Sequence, residues 1–588
     1  MKTLLTLFLT TSLLFNFQQI HSQSFEATNF IDLTTIPSAS RSVNFIDING
    51  DGWDDIFVSN GLASGQNNML YINDTNGGFN TITSDIIVND HERSDGCSFA
   101  DVDNDGDLDA FMVTFGASGV GRLNYFYRNN GNGSFNYEPG IAMGADLTYS
   151  ETATWIDVNN DQFLDLYVTN SVGDLNNLYY ENQGDGSFLK INSLSITSES
   201  LPTRSVDWID YDNDGDSDLF LTNEDNNTNT LYRNDGPDNF TKITNLSITQ
   251  DFNTSAGSSW GDIDNDGDFD LFVANWGLEA NQLFINNGGI FTEDTNSVIA
   301  GPITNSFGST FGDIDNDGDL DLFVCNAYLA GQNKNFVYIN DGNGNFSEDT
   351  TSPLANQTGY TFGAAFGDYD NDGWLDIFLA NTLNENQTNS LYHNTGTGNN
   401  WVKIVCEGTR SNASAVGAIV KVRANINGNS VLQTRKVAAS SGYCSQNSYT
   451  NHFGLGKATI IDEIEVTWPS GTIEVFTDKE VNGSYKIIEG DGITLGLNEV
   501  SIQNKIILFP NPVKEHLTIE AKFSTNYEDL NFRIYDLQGR IVKDIDNIDT
   551  IGQNLNLSVD ISLLMTGYYV YTFNHKGKQL INGKIIKE

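Results

Sequence analysis

The sequence predicts an all-β protein: a seven-bladed β-propeller, followed by a small β domain and a C-terminal immunoglobulin-like β-sandwich. Three observations predict it. An aspartate-rich loop recurs seven times, starting at Asp47, Asp101, Asp157, Asp210, Asp262, Asp313 and Asp368, at spacings of 54, 56, 53, 52, 51 and 55 residues. Short apolar runs flank every copy (SVNFIDI before and IFVSN after the first), too short for helices and rich in β-branched and aromatic residues. A Gly/Asn turn then closes a hairpin, as in LYINDTNGGF at 70–79, LYYENQGDGSF at 178–188 and VYINDGNGNF at 337–346. Four strands per unit of about 50 residues is the size of a propeller blade, and seven units make seven blades.

The loop comes first in the argument because it is costly. DIDNDGDLDLF at 313–323 places five aspartates in nine positions. Four carboxylates about 5 Å apart repel by roughly 0.8 kcal/mol per pair, or about 5 kcal/mol over six pairs. Side chains at positions 1, 3, 5 and 9, with glycine at 6, offer the hard oxygen ligands that suit Ca²⁺. One copy alone could be an acidic turn; seven in register point to metal. The candidate ligands are Asp47, Asn49, Asp51 and Asp55; Asp101, Asp103, Asp105 and Asp109; Asp157, Asn159, Asp161 and Asp165; Asp210, Asp212, Asp214 and Asp218; Asp262, Asp264, Asp266 and Asp270; Asp313, Asp315, Asp317 and Asp321; and Asp368, Asp370, Asp372 and Asp376. Position 7 wanders from Trp53 to Asp319 to Trp374, as a backbone-carbonyl ligand allows. An EF-hand is excluded, because position 12 carries no Glu (Met112, Val324) and the flanks read as strands.

Ring closure can also be read. The seventh repeat, ending LYHNTGTGNNW, lacks the outer-strand phrase found as FTEDT at 291 and FSEDT at 346, while a similar phrase, FEAT, begins at Phe25. Residues 25–30 are therefore expected to form the outer strand of the seventh blade.

These repeats resemble the FG-GAP or VCBS repeats of integrin α-subunit propellers, with Phe307-Gly308 and Phe362-Gly363 at the name-giving dipeptide; the resemblance covers residues 25–398. It implies up to seven Ca²⁺ on the hairpins between the first two strands of each blade, away from the usual ligand face. Gln162 replaces the position-6 glycine of the third copy. A side chain is disfavoured where the turn needs φ > 0, so the Asp157 site is expected to be the weakest.

Residues 1–398 hold 58 of the 78 acidic residues and 10 of the 29 basic ones, a balance of −48 within a total of −49. Such a surface excludes nucleic acid and anionic membrane as partners. The N-terminal stretch MKTLLTLFLTTSLLFNFQQIHSQ reads as a signal peptide over 1–22, and no other segment is apolar enough to span a membrane in the mature chain. The propeller occupies 23–398. Of four cysteines, Cys97 and Cys325 read as buried singletons, and Cys406 and Cys444 fall in one later domain where pairing stays open.

Composition turns balanced after residue 398, with nine basic and eight acidic residues over 399–489. Ser411-Asn412, Gly417-Ala418, Phe453-Gly454-Leu455-Gly456 and Trp468-Pro469-Ser470-Gly471 make this stretch resemble the ASPIC and UnbV domain, and with the propeller before it the whole resembles the cartilage acidic protein family. That resemblance implies extracellular calcium binding and adhesion, and no reaction. Read on their own, the motifs shape β-turns. Residues 490–504 read as a linker. Residues 505–588, with Pro510-Asn511-Pro512, Gly539 and Gly567-Tyr568-Tyr569, resemble the C-terminal sorting domain of type IX secretion cargo. The type IX machinery is then the implied partner, and the secreted or outer-surface space of a Gram-negative bacterium the implied location.

Most carboxylate pairs here are candidate metal ligands, and the histidines form no HExxH, no GxSxG elbow and no zinc spacing. The remaining candidates lie on loops opposite the aspartate hairpins: Arg41, His91, Arg93, Tyr149, Arg204 and Tyr360, with Trp276 and Tyr328 just after second strands and able to stack on sugar rings. The expected function is a calcium-binding adhesion or binding module for an extracellular glycan or protein. The alternative is a polysaccharide-degrading enzyme, lyase-like, with its site on the face opposite the calcium loops, which requires His91, Arg93 and a tyrosine in one pocket near the axis.

Overall fold

A computed structural model describes residues 25–496 apart from 117–119, 238, 329–333, 383–386 and 397, and residues 505–587 apart from 510–512, 523–529, 536–539, 549–553 and 576–577. The expected signal peptide at 1–22, Pro510-Asn511-Pro512 and Gly539 lie outside the described residues. The chain divides into two compact units, 1–498 and 499–588.

Within the first unit, seven four-stranded antiparallel sheets begin with the inner strands Ser40–Ile46, Ser94–Ala100, Ser150–Ile156, Thr203–Ile209, Ser255–Gly261, Ser306–Gly312 and Thr361–Gly367. Each inner strand packs against the next, and the seventh against the first, so the sheets close a ring. They are numbered here as blades one to seven. Every aspartate-rich segment is the hairpin from inner strand to second strand, as expected: Asp47–Asp54 joins Ser40–Ile46 to Asp55–Asn60.

The clasp is present. Phe25–Ala27 is the outer strand of blade seven, with Phe25 opposite Asn394 and Ala27 opposite Tyr392. It is shorter than the expected 25–30: Thr28 still bonds the Leu391 carbonyl, and a short helix, Ile31–Thr34, follows. Phe25 is buried beside Tyr392 and Ile377, so the closure is packed as well as hydrogen-bonded.

A buried asparagine ends each third strand and ties neighbouring blades together. The backbone N–H groups of Asn73, Asn129, Asn182, Asn234, Asn286, Asn340 and Asn394 each donate to the position-9 aspartate of their own blade. In six of them the side-chain amide also donates to the position-2 carbonyl of a neighbouring blade, as from Asn129 to Ile48 and from Asn73 to Tyr369. Buried amides satisfied on both sides add specificity to the apolar packing between blades.

The domain after the ring has two four-stranded sheets. One orders Asn451–Gly456, Asn400–Glu407, Gly483–Ile488 and Gly492–Gly496, with a parallel central pair; the other orders Asn429–Lys436, Ile419–Ile426, Ile461–Thr467 and Ile473–Lys479. They enclose Val402, Ile404, Val420, Val422, Phe453, Ile464, Val466 and Trp468. The expected linker at 490–504 is corrected at its start, since Gly492–Gly496 pairs with Gly483–Ile488. The motifs Ser411-Asn412 and Trp468-Pro469-Ser470-Gly471 meet at Glu489. Its carboxylate accepts the N–H groups of Thr409, Arg410 and Ser411 and the Ser470 hydroxyl, and Ser470 N–H donates to Ser411 Oγ.

The second unit packs Leu517, Ile519, Phe532, Ile534, Val559 and Phe573 into a core between a three-stranded and a four-stranded sheet. Leu517 and Ile519 face inward as their alternation predicts. Among the described residues no helix is long and apolar enough to cross a membrane.

Candidate functional site

The aspartate loops share a hydrogen-bond scheme. In six blades the position-1 aspartate accepts the N–H of position 5 on one oxygen and that of position 6 on the other, as Asp313 does from Asp317 (3.1 Å) and Gly318 (2.9 Å). The position-9 aspartates lie behind, buried. Burial raises the carboxyls of Asp55, Asp109, Asp218 and Asp270 to about 8, against the bonds they accept from the asparagine N–H groups or, for Asp109, against Arg128 as well. Ligand atoms of Asp101, Asp103 and Asp105 lie within 4.8 Å of one another, as do those of Asp210, Asp212 and Asp218, of Asp262, Asp264 and Asp266, and of Asp313, Asp315 and Asp321. In blade five both oxygens of Asp262 and Oδ1 of Asp264 are buried with no hydrogen-bond partner among the described residues. Buried carboxylate oxygens left so are donor sites for a hard cation.

The seven loops are not equivalent. In blade two Arg128 reaches both Asp103 (2.8 Å) and Asp109 (2.7 Å). In blade seven Lys403, from the following domain, bonds Asp368 (2.6 Å) and Asn371, and His393 bonds Asp376 (3.1 Å). His393 also groups with Asp370 and Asp372 as a possible metal ligand, a residue the sequence reading missed. Gln162 does take the glycine conformation, at φ +80°, and its N–H still bonds Asp157 at 2.8 Å. The loop of blade three therefore keeps its hydrogen bonds while holding a non-glycine residue at positive φ.

Position 4 carries a role not anticipated. Asn104, Asn160, Asn213, Asn265, Asn316 and Asn371 all sit at φ between 56° and 59°, which Asn tolerates best among non-glycine residues. Four of them reach the loop of the next blade: Asn104 to the Gln162 carbonyl, Asn213 to Asp268, Asn265 to Asp319 and Asn316 to the Gly373 carbonyl. Asp268 and Asp319, at position 7, thus use their side chains to link loops.

The loop face is also a docking face. Gly454 N–H donates to Asp313 at 3.0 Å, and a Cβ on Gly454 would stand 2.1 Å from that carboxylate. Trp401 lies so close to Gly373 that a Cβ there would be 1.7 Å from its ring, and His452 Nε2 meets the Gly373 carbonyl at 3.1 Å. On blade two, Ser414 accepts the Asp101 N–H, and Asn104 accepts that of Ala413.

From this dock, segment 439–448 enters the bore. Ala439 accepts from Ser98; Gln446 bonds Phe99 and pairs with Asn44; Asn447 bonds Thr310 and the Phe366 N–H. Tyr443 lies deepest, fully buried. Its hydroxyl donates to Glu151 at 2.6 Å and accepts from Arg204 at 3.2 Å. Cys444 donates to the Glu151 carbonyl, whereas Cys406 sits in the core of its own domain; all four cysteines are free and buried.

Around Tyr443, at the strand ends opposite the aspartate loops, lies the far face. Arg41 pairs with Asp95 (3.2 Å), and Arg204 with Glu151 and Glu224 (both 2.9 Å). Arg41 lies over Phe362, 4.3 Å from the ring centre, and Arg204 over Trp276 at 5.8 Å. Phe307 stacks on Phe362 at 4.4 Å and contacts Trp276 at 5.7 Å, while Tyr328 contacts Tyr360 and Phe362 at 5.5 and 5.4 Å. Phe307 and Phe362 are buried in a core with Tyr443, and Trp276, Tyr328, Tyr360 and the two arginines pack over that pair. Tyr328 is 44 % exposed and holds φ +59°, an outlier for a bulky side chain, and Leu278 is exposed at φ +67°. Phe252 and Ile303, on ribbons between blades at this end, are also exposed.

Of the expected far-face residues, Arg41, Arg204, Trp276, Tyr328 and Tyr360 are brought together. Arg93 and Tyr149 share Phe115, Arg93 over its ring at 4.7 Å and Tyr149 at its edge at 5.5 Å, and Arg93 also feels the charges of Arg41, Asp95 and Glu151. His91 stands on an exposed loop bonded to Asn67. Among the described contacts His91 shares no hydrogen bond with Arg93 or a tyrosine.

Comparison with known proteins matches FG-GAP-like repeats at 47–112, 157–221, 210–273, 262–324 and 327–379, ASPIC and UnbV at 408–494, and the secretion system C-terminal sorting domain at 507–588. The chain is similar to cartilage acidic protein 1 of Xenopus tropicalis, 29 % identical over 283 residues (46 % of this chain, 42 % of the relative), and of Homo sapiens, 29 % over 267 residues (43 % and 39 %). The matches span less than half the length of these relatives. Among solved structures, the six-bladed fungal lectin of Aleuria aurantia is 11 % identical at a TM-score of 0.34, covering 56 % of this chain and 100 % of that one. The BP39L lectin of Burkholderia pseudomallei is 11 % identical at 0.38, covering 61 % and 97 %. These scores are too low to bear on function. The sorting domain indicates type IX secretion to the outer surface or the extracellular space. The chain thus carries FG-GAP-like repeats closed into a β-propeller, an ASPIC and UnbV domain docked on it, and a type IX C-terminal sorting domain.

Proposed function

We propose that this secreted protein is a calcium-stabilised binding module that recognises an extracellular glycan on its far face. The observation that carries the reading is the group of half-buried Trp276 and Tyr360 with exposed Tyr328, seated on the buried pair Phe307 and Phe362 and flanked by Arg41 and Arg204, the exposed tyrosine being held in strained backbone. Aromatic faces take the C–H side of a sugar ring, and the arginines and their acids offer polar partners for its hydroxyls. Strain at an exposed aromatic persists only where the surroundings enforce it, which supports a role in recognition.

Calcium is proposed for the aspartate loops, held by the side chains at positions 1, 3, 5 and 9. Bound there it neutralises the buried carboxylates and braces the hairpins. The unpartnered oxygens of Asp262 and Asp264 support this, as does the raising of the position-9 carboxyls by burial. Blades two and seven are weak sites of the proposal, because Arg128 and the pair Lys403 and His393 already bring positive charge to their carboxylates. The Asp157 site, where Gln162 holds φ +80°, stays among the weak ones.

Glycan-array binding of the mature protein in calcium tests the reading, with product release assayed on any hit. A saturable hit lost in Trp276→Ala is the expected result; an empty array, or a hit indifferent to Trp276 and Tyr328, refutes recognition by this face.

A further inference from the structure

We propose a second site, at the mouth of the bore on the aspartate-loop side, for one small neutral polyol of monosaccharide size. A cavity of about 200 Å³ lies there, walled by inner-strand residues of blades four to seven and roofed by the docked domain. Seven of its lining residues carry a buried polar atom with no hydrogen-bond partner among the described residues: Lys436 Nζ, Trp208 Nε1, Trp260 Nε1, Thr434 Oγ1, Ser441 Oγ, Asn451 Nδ2 and His452 Nδ1. One unpaired buried polar group costs roughly 1–3 kcal/mol, and native proteins keep few. Seven around a single space mark that space as made for a polar occupant.

The chemistry of the wall selects the class. Lys436, Trp208, Trp260 and Asn451 offer donors. His452 Nε2 faces the Gly373 carbonyl at 3.1 Å and so carries the ring hydrogen, which leaves Nδ1 as an acceptor. Asp54 and Asp207 add carboxylates, each with one oxygen engaged, by Ser448 and Ser258 respectively. An anion would face these two carboxylates and those of Asp313 and Asp368 in the aspartate loops, and a cation would face Lys436, Lys403 and Arg435. Hydroxyl groups donate and accept alike, and a compact polyol places several of them against donors and acceptors in alternation. Trp208, Trp260 and Phe311 supply apolar wall for its C–H faces. This site shares no residue with the far face and stands whether or not that face binds glycan.

The test uses the mature, calcium-loaded protein with glucose, galactose, mannose, xylose, fucose and N-acetylglucosamine, read by calorimetry and native mass spectrometry. At least one sugar is expected to saturate at one per chain. Trp208→Phe, which keeps the ring and removes the donor, and Lys436→Met, which keeps the stem and removes the ammonium, each weaken it about tenfold or more; Tyr328→Ala leaves it unchanged. Both variants are conservative in shape, and their sugar-free melting temperatures report whether they fold. The proposal is overturned if none of the sugars binds, if binding is equal in both cavity variants, or if it is lost in Tyr328→Ala.

Discussion

The two faces of the ring use polar residues in opposite ways. On the aspartate-loop face the charged groups repeat: seven loops place like residues at like positions, and the bonds run from each loop to the next blade or to the docked domain. On the far face a buried ring of Ser or Thr to Asn bonds repeats in six blades, Ser40 to Asn60 and Ser306 to Asn326 among them, but the arginines and aromatics beside it do not repeat. Arg41, Arg204, Trp276, Tyr328 and Tyr360 come from five different blades and meet as one surface around Tyr443, which another domain delivers through the bore. Repetition marks what holds a ring together, and departure from it marks where a ring recognises something else.

The comparison breaks first at the metal. With several sites each contributing up to about 4 kcal/mol at a thousandfold excess over Kd, and about 2–4 °C per kcal/mol for a domain of this size, EDTA should lower the melting temperature by on the order of ten degrees or more. Calcium should restore it. Scanning calorimetry reads this, and an unchanged transition would remove metal from the account.

A smaller effect follows from the dock. Gly454→Ala puts a methyl against the Asp313 carboxylate, a clash worth about 1–3 kcal/mol. It should expose the 399–496 domain to limited proteolysis before the ring is cut. Simultaneous cleavage of both would contradict a separable dock.

The pH dependence comes next. Burial raises Asp207 to about 7, opposed by the Ser258 hydrogen bond and by Lys436. A carboxyl whose folded pKa lies above its unfolded value costs nothing while protonated in both states, so its penalty grows as pH rises from about 4 to about 7. Asp207→Asn should flatten that decline and melt higher than the parent at neutral pH. Equal slopes in urea titrations from pH 4 to 8 would show that Asp207 is not the cause.

The smallest effect concerns backbone strain. Leu278 holds φ +67° on an exposed far-face loop, and Leu278→Gly should stabilise the protein by up to about 1 kcal/mol, read as a higher urea midpoint. A lower midpoint would mean that Leu278 packs against something in solution.

What was legible in the sequence was what repeats. The blades, the loops and the clasp followed from period and phrase: FEAT at Phe25 echoes FTEDT because both fill the same outer-strand slot. The position-4 and third-strand asparagines repeat just as plainly, but their work is between blades and shows only when the blades are adjacent. Gln162 takes the positive φ that its place in the loop requires, and the bonds that hold it there, its N–H to Asp157 and its carbonyl from Asn104, were not legible in the sequence. The bore segment SSGYCSQNSYT gave no signal, since its partners lie more than a hundred residues away. His91 stood out in the sequence beside Arg93, yet it bonds Asn67 while Arg93 lies over Phe115.

One paired measurement tests the contrast between the faces most directly: melting temperature and affinity for the same array hit, in Asp321→Asn and Tyr328→Ala, both in saturating calcium. Asp321→Asn should melt several degrees lower and, below its transition, bind within about twofold of the parent. Tyr328→Ala should melt close to the parent and bind about tenfold more weakly, a loss of about 1.4 kcal/mol. The reverse pattern, with affinity lost in Asp321→Asn and kept in Tyr328→Ala, would place recognition on the aspartate loops and contradict the division of labour drawn here.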